Sequence, residues 1–132
     1  MVISPSPPVL VVEDDQLILL NSRLVLESAG YHVIAAQDAG EALVALDGHP
    51  EIAALLTDIT MPGPIDGLTL ARRVHDQRPA LPVFVISGST GVRDDALPPS
   101  ARFLGKPYTA AQLLALLSAV PRTDGPGSIQ PD

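Results

Sequence analysis

The chain has 132 residues, of which 46% are hydrophobic and only 3% aromatic, and its formal net charge is −7. This length suits one domain with its own core, filled mainly by aliphatic side chains. The negative charge argues against non-specific binding to nucleic acid or to an anionic membrane surface, since both require a basic face. The chain has no cysteine, which excludes disulfides and thiolate chemistry and is consistent with a reducing compartment.

The two ends of the chain differ in composition from its middle. The proline-rich start, MVISPSPP, lacks the features of a signal peptide, and no apolar run approaches the ~20 residues of a membrane span. We therefore expect a cytoplasmic protein. Residues 1–7 are expected to form a flexible lead, residues 8–120 a single domain, and residues 121–132 a disordered tail rich in proline and glycine.

The domain opens with a strand predicted over about residues 8–13, followed by a helix over residues 16–29. Gly30 is a natural stop for this helix, and a short β-prone run follows over residues 31–36. The apolar positions that give the helix its spacing are Leu17, Leu20, Leu24 and Val25.

Asp38 is predicted to cap a second helix, with Glu41 three residues later completing an N-terminal pair that satisfies exposed backbone donors. The predicted buried stripe of this helix consists of Ala39, Ala42, Leu43 and Leu46. An unbroken apolar run over residues 52–57 then predicts a central strand buried on both faces. Asp58 stands where this strand ends.

The second half of the domain continues the alternation. A third helix is predicted over residues 66–76 and another fully buried strand over residues 82–87. Pro98 and Pro99 limit any fourth helix, over residues 92–97, to under two turns.

A short fifth strand over residues 101–104 and an amphipathic helix complete the domain. Thr109 and Gln112 repeat the capping pattern at the start of this helix. Its apolar stripe consists of Leu113, Leu116, Leu117 and Val120.

Five strands alternating with helices predict an α/β fold, a doubly wound parallel sheet in the flavodoxin-like order 2-1-3-4-5 with a shortened fourth helix. The carboxyl ends of the strands then bring five polar residues to one edge: Glu13, Asp14, Asp58, Ser87 and Lys106. Carboxylates a few ångströms apart repel by roughly a few kcal/mol at intermediate dielectric. A bound cation would relieve that repulsion.

From about residue 9 to residue 120 the sequence resembles a response-regulator receiver domain of two-component signalling, in its single-domain form. The matching segments, in the family's order, are VLVVEDD, LLTDITMPGPIDG, VFVISGS and FLGKPY. The resemblance implies a phosphoacceptor rather than an enzyme, with only self-catalysed phosphoryl acceptance and hydrolysis. It also implies a sensor histidine kinase or histidine phosphotransfer protein as donor and an unknown downstream protein as target. We further expect no direct contact with nucleic acid or membrane, as the net charge indicates, and a monomer or weak dimer.

The resemblance assigns the phosphoryl group to Asp58. Glu13, Asp14 and Asp58, with the backbone carbonyl of Thr60, would hold Mg²⁺. These residue types suit the task, because Mg²⁺ prefers oxygen ligands and neutralises charge on the phosphoryl oxygens.

Further roles follow from the same resemblance. Ser87 would hydrogen-bond the phosphoryl oxygens, Lys106 would supply a second positive charge, and Gly88 would leave room for the phosphodonor. Phe103 matches the family's aromatic switch residue, which moves inward on activation. The peptide before Pro107 is expected to be cis by analogy.

The chain departs from the common family pattern in two places. The loop MPGPIDG is longer by one residue, and the stretch between Ser87 and Lys106 is shorter by about one helical turn. A similar short form occurs in the receivers of hybrid histidine kinases.

Simpler explanations exist for several of these residues. Asp14 and Asp15 suit the start of a helix as capping acids, and Asp15 is the better candidate for a cap than for a metal ligand. Phe103 also suits an ordinary core. The histidines lack metal-ligand spacing and are predicted at the surface: His32, His49 and His75.

Two other functions fit part of the pattern. A phosphohydrolase of the haloacid dehalogenase type also uses a strand-end aspartate with Mg²⁺, but it requires a second aspartate where Thr60 stands. A receiver-like scaffold that is never phosphorylated is disfavoured because the full polar set is retained.

Overall fold

A computed structural model describes residues 8–59, 65–87, 101–105 and 108–117 of the chain. The strands are β1 (Pro8–Val12), β2 (His32–Ala36), β3 (Ala54–Asp58), β4 (Val83–Ser87) and β5 (Ala101–Gly105). The helices among the described residues are α1 (Gln16–Ser28), α2 (Ala39–Gly48), α3 (Gly67–Gln77) and α4 (Ala110–Leu117). A membrane-spanning helix is not found in this part of the chain.

All five strands lie in one parallel sheet with the order β2-β1-β3-β4-β5. The predicted doubly wound fold and its strand order are confirmed. The shortened fourth helix, predicted within residues 88–100, lies outside the described residues. Because β1 is paired on both sides, its carboxyl end lies between the ends of β2 and β3.

The sheet is buried on both faces because its strands carry apolar residues at successive positions. On one face Leu10 and Val12 of β1 belong to a core that includes residues of α2 and α3. On the other face Val9 and Val11 belong to a core that includes Leu26 of α1 and residues of α4. Burying each such side chain stabilises the fold by about 1.5 to 3 kcal/mol relative to leaving it exposed.

The two helices for which a capping pair was predicted, α2 and α4, are both capped at their N-termini. Asp38 Oδ1 accepts a hydrogen bond from Glu41 N at 2.8 Å. Thr109 and Gln112 bond reciprocally, at 3.0 Å from Gln112 N to Thr109 Oγ1 and 2.8 Å from Thr109 N to Gln112 Oε1. In α2 the predicted stripe is buried at three positions, whereas Leu43 is only partly buried against the core.

Helix α1 turns a different face to the sheet than its leucine spacing indicates. Leu17, Leu20 and Leu24 are 75%, 51% and 55% exposed, whereas Ser22 and Leu26 are buried. The sequence of α1, QLILLNSRLVLES, is apolar at so many positions that several faces fit a helical stripe. The direction in which α1 crosses the sheet decides which of them is covered.

Two tyrosine hydroxyls connect α4 and the segment just before it to α1 and the turn that follows α1. The Tyr31 hydroxyl donates a buried hydrogen bond of 3.1 Å to the carbonyl oxygen of Leu117, in α4. The hydroxyls of Tyr108 and Ser22 lie 3.5 Å apart, just before α4 begins. The first contact is buried and well within hydrogen-bonding range, and the second is long and only partly buried.

We expect Tyr31→Phe to lower the free energy of unfolding by about 1 to 2 kcal/mol, because it removes the donor from a buried hydrogen bond. Tyr108→Phe is the matched control and should change it by less than about 0.5 kcal/mol, since a 3.5 Å contact is weak. Urea denaturation of both variants gives the comparison. Equal losses in the two variants would contradict this account of how α4 is held.

Candidate functional site

The candidate site forms where β1 and β3 end side by side. Val12 of β1 pairs with Thr57 of β3, so Glu13 and Asp58 follow at the same level of the sheet edge. The backbone N–H of Glu13 continues the pairing with β2 by donating to Ala36 O at 3.0 Å. The sheet register therefore places the two acids next to each other.

Three carboxylates meet at this edge, as the sequence predicted. One carboxylate oxygen each from Glu13, Asp14 and Asp58 lies within 4.8 Å of the other two. Glu13 is 6% exposed and Asp58 9%, whereas Asp14 is exposed to solvent. The group is thus buried on the side of the sheet and open to solvent on the side of Asp14.

Asp15 does not add a fourth ligand to this group but supports it. Its side chain caps α1, accepting hydrogen bonds from Leu17 N at 2.9 Å and Ile18 N at 3.1 Å. Its backbone N–H donates to Glu13 Oε2 at 3.1 Å. The predicted role of Asp15 as a cap is confirmed, and the same turn orients the Glu13 carboxylate.

The backbone around Asp58 is held from several directions. Thr57 Oγ1 donates to the carbonyl oxygen of Asp58 at 2.9 Å, and Ile59 N donates to Ile86 O of β4 at 2.9 Å. From the other side, Gly67 N at the start of α3 donates to Ile59 O at 2.8 Å. These contacts fix the position from which the Asp58 side chain leaves the strand.

Two residues at this site, Thr57 and Gly67, were not among those predicted from the sequence. A signal for Gly67 was present, because glycine is a poor helix former and stands here directly after the N-cap residue Asp66. Such a glycine indicates that another backbone approaches closely. Thr57 gave no signal beyond being a hydroxyl residue inside an apolar run.

Of the other predicted site residues, the structure describes only Ser87 and Phe103. Ser87 is the last residue of β4, and its backbone pairs in register with Gly105 at the end of β5. Phe103 is half-buried in β5. The remaining predicted residues lie outside the described residues: Thr60, Gly88, Lys106 and Pro107.

The three carboxylates fit a hard divalent cation. Mg²⁺ takes oxygen ligands and is commonly bound through carboxylates together with water, and this group offers one oxygen from each of three acids. Without a cation, three negative charges at this spacing repel one another. Glu13 and Asp58, being buried, are the two whose charges water screens least.

Residues 9–118 match the family described as response regulator receiver domain. The chain is 36% identical over 109 residues to the response regulator receiver protein CpdR of Brucella abortus, which covers 80% of this chain and 89% of that protein. It is also 36% identical over 118 residues to the virulence transcriptional regulatory protein PhoP of Salmonella typhimurium, covering 86% of this chain and 51% of the relative. The chain thus spans about half the length of PhoP and of a second curated relative, the transcriptional regulatory protein CseB of Streptomyces avermitilis.

Solved structures agree with these sequence matches. A response regulator receiver protein from Sinorhizobium medicae superposes with a TM-score of 0.78 at 30% identity, over 84% of this chain and 90% of that one. The receiver domain of the hybrid histidine kinase CckA gives a TM-score of 0.71 at 30% identity, over 84% of this chain and 95% of that one.

Proposed function

Because the chain belongs to the response regulator receiver domain family, we propose that it accepts a phosphoryl group on Asp58 and then signals to a partner by changing conformation. The observation that carries this proposal is the group of three carboxylates within 4.8 Å at the ends of β1 and β3. Receiver domains are in general phosphoacceptors rather than enzymes, and we propose the same here, with only self-catalysed acceptance and hydrolysis. The family match does not favour the phosphohydrolase alternative.

Asp58 is the acceptor in this proposal because its environment differs from that of the other two acids. It ends β3 and is mostly buried, and its backbone is hydrogen-bonded on both sides. Glu13 is also buried, but the N–H of Asp15 holds its carboxylate, and Asp14 is exposed, so these two suit cation binding. A nucleophile held in one place is what in-line phosphoryl transfer requires.

We propose Mg²⁺ as the cation, held by Glu13, Asp14 and Asp58, with the carbonyl of Thr60 added by family resemblance. When bound, Mg²⁺ would neutralise the negative charge on the phosphoryl oxygens. An Asp58 carboxylate oxygen forms the new bond to phosphorus as the bond from phosphorus to the donor nitrogen breaks. The donor imidazole leaves with the electron pair of that bond.

The remaining roles are proposals that rest on the family resemblance. Ser87 hydrogen-bonds the phosphoryl oxygens and Lys106 contributes positive charge. Gly88 leaves room for the donor, and Pro107 fixes the loop that carries Lys106. Phe103, half-buried in β5, moves inward when the phosphoryl group is present.

The proposed partners are a sensor histidine kinase or a histidine phosphotransfer protein on the donor side and a protein target on the output side. PhoP and CseB are described as transcriptional regulatory proteins, and this chain matches about half of each. We therefore propose that the chain performs the phosphoacceptor part of such a system. A cytoplasmic location stays a prediction.

Chemical phosphorylation tests the proposal directly. We expect acetyl phosphate and Mg²⁺ to produce an acyl phosphate that borohydride reduces and mass spectrometry maps to Asp58. The same incubation with EDTA should give no product, because the acid group then lacks its cation. Label on a different residue, or label that forms equally well in EDTA, would overturn the assignment.

A further inference from the structure

We propose that Gly67 and Thr57 are positioning residues for the phosphoacceptor, because both meet the peptide between Asp58 and Ile59 at the Asp58 carbonyl oxygen. This inference rests on the proposed function of Asp58. The Asp58 carboxylate is then placed by the glycine at the start of α3, which has no side chain, and by one hydroxyl group on β3. Neither residue belongs to the acid group itself.

Gly67 permits a contact that no other residue type permits. A Cβ atom at position 67 would lie 1.9 Å from the carbonyl oxygen of Asp58, 2.7 Å from its carbonyl carbon and 2.8 Å from Ile59 Cα. All three are backbone atoms, so no change of rotamer relieves the overlap. The absence of a side chain is therefore what lets α3 begin directly against the acceptor strand.

Neither side of this contact is free to yield. On the strand side, Ile59 N is bonded to Ile86 O at 2.9 Å, within the pairing of β3 with β4. On the helix side, Asp66 caps α3 through Thr69 N at 2.8 Å. The inward residues of α3 are fully buried in the core: Leu70, Ala71 and Val74.

Thr57 meets the same peptide through its side chain. It is completely buried, and its hydroxyl donates to the Asp58 carbonyl oxygen at 2.9 Å. That oxygen is also the atom nearest to where a side chain at position 67 would lie. The carbonyl is thus held by the Thr57 hydroxyl and faced at close range by the backbone of Gly67.

A side chain at position 67 would have to move α3 and β3 apart. Relieving a 1.9 Å contact to an ordinary 3.4 Å contact requires a shift of about 1.5 Å. The Asp58 carboxylate would move with its backbone relative to Glu13 and Asp14. A misplacement of about 1 Å costs roughly 10²-fold in reactions that depend on alignment.

The first test compares Gly67→Ala with Gly48→Ala, since a Cβ at Gly48, also in a helix, meets nothing within 4 Å. The rate of labelling by acetyl phosphate and the Mg²⁺ affinity by calorimetry are measured under conditions in which circular dichroism shows both variants folded. We expect Gly67→Ala to label about 10 to 100 times more slowly and to bind Mg²⁺ several times more weakly. Gly48→Ala should match the natural protein in both.

The second test uses Thr57→Val and Thr57→Ser, and it decides the matter if Gly67→Ala does not fold. Val keeps the shape but removes the hydroxyl, whereas Ser keeps the hydroxyl but removes a buried methyl group. We expect the valine variant to label about 3 to 10 times more slowly than the serine variant under conditions in which both are fully folded. A purely structural role would leave the two labelling rates equal under those conditions.

Two results would overturn the positioning role. One is a folded Gly67→Ala with the labelling rate and Mg²⁺ affinity of Gly48→Ala. The other is equal labelling of Thr57→Val and Thr57→Ser. Labelling of the natural protein separates this failure from a failure of the proposed function. If the natural protein is not labelled on Asp58, the proposed function is wrong. If it is labelled normally and the variants are labelled at the rates of their controls, only the positioning role is wrong.

Discussion

Replacing Asp58 with asparagine is expected to abolish phosphorylation by acetyl phosphate completely while leaving the protein folded. Asparagine has nearly the same shape as aspartate, but its amide cannot act as the nucleophile that the carboxylate provides. It also removes one of three close negative charges, so the metal-free variant should be no less stable than the natural protein. Phosphate incorporation and urea denaturation are the two measurements.

Asp66→Asn is the matched control for this substitution. Asp66 caps α3 through Thr69 N at 2.8 Å, and asparagine caps a helix about as well as aspartate. The control also replaces a carboxylate with an amide, eight residues from Asp58, and Asp58 should still be phosphorylated in it. Label that survives Asp58→Asn, above all if it is lost in Asp66→Asn, would show that the acceptor has been misassigned.

Replacing Asp14 with alanine is expected to abolish Mg²⁺ binding and yet to raise the melting temperature in metal-free buffer. Asp14 supplies one of the three oxygens within 4.8 Å, and it is a source of repulsion when no cation is present. Because Asp14 is exposed, the relief should be modest, on the order of 1 kcal/mol, or about 3 to 5 °C. Calorimetric titration with Mg²⁺ and melting curves with and without Mg²⁺ give both quantities.

Asp15→Asn is the control for Asp14→Ala. It removes a charge one residue away, but asparagine retains the cap at the start of α1, and the backbone N–H that holds Glu13 is unaffected. It should keep Mg²⁺ binding, so that Mg²⁺ still raises its melting temperature. A metal-free melting temperature of Asp14→Ala equal to or below that of the natural protein would contradict the idea of mutual repulsion in the acid group.

The sheet and the acid group could be predicted because both depend on short-range patterns in the sequence. Unbroken apolar runs end at Glu13 and at Asp58, and parallel strands deliver their carboxyl ends to one edge. Once β1 and β3 are neighbours, the approach of the two acids follows from the register alone. The capping pairs at Asp38 and Thr109 were likewise local, because each involves residues three apart.

What could not be predicted depends on how helices sit against the sheet. The exposed face of α1 is apolar like the covered face, so the leucine spacing did not show which side faces solvent. Gly67 approaches the acceptor strand through its backbone, and this contact exists only once α3 has docked. The Thr57 hydroxyl bonds the carbonyl oxygen of the next residue, which the apolar run around it does not indicate. A single sequence shows the residue types at such a contact. It does not show that a Cβ at position 67 would lie 1.9 Å from the Asp58 carbonyl oxygen, which is what makes the glycine necessary.

The position of β1 between β2 and β3 also determines when the site can form during folding. A growing chain that has reached Gly48 already carries Glu13 and Asp14, with the means to build β1, α1, β2 and α2, but it lacks Asp58. Pairing β3 with β1 closes a long loop and is therefore slow compared with local steps. Asp58 begins to repel Glu13 and Asp14 only when β3 pairs with β1. The ability to receive a phosphoryl group thus reports that β1 and β3 have paired.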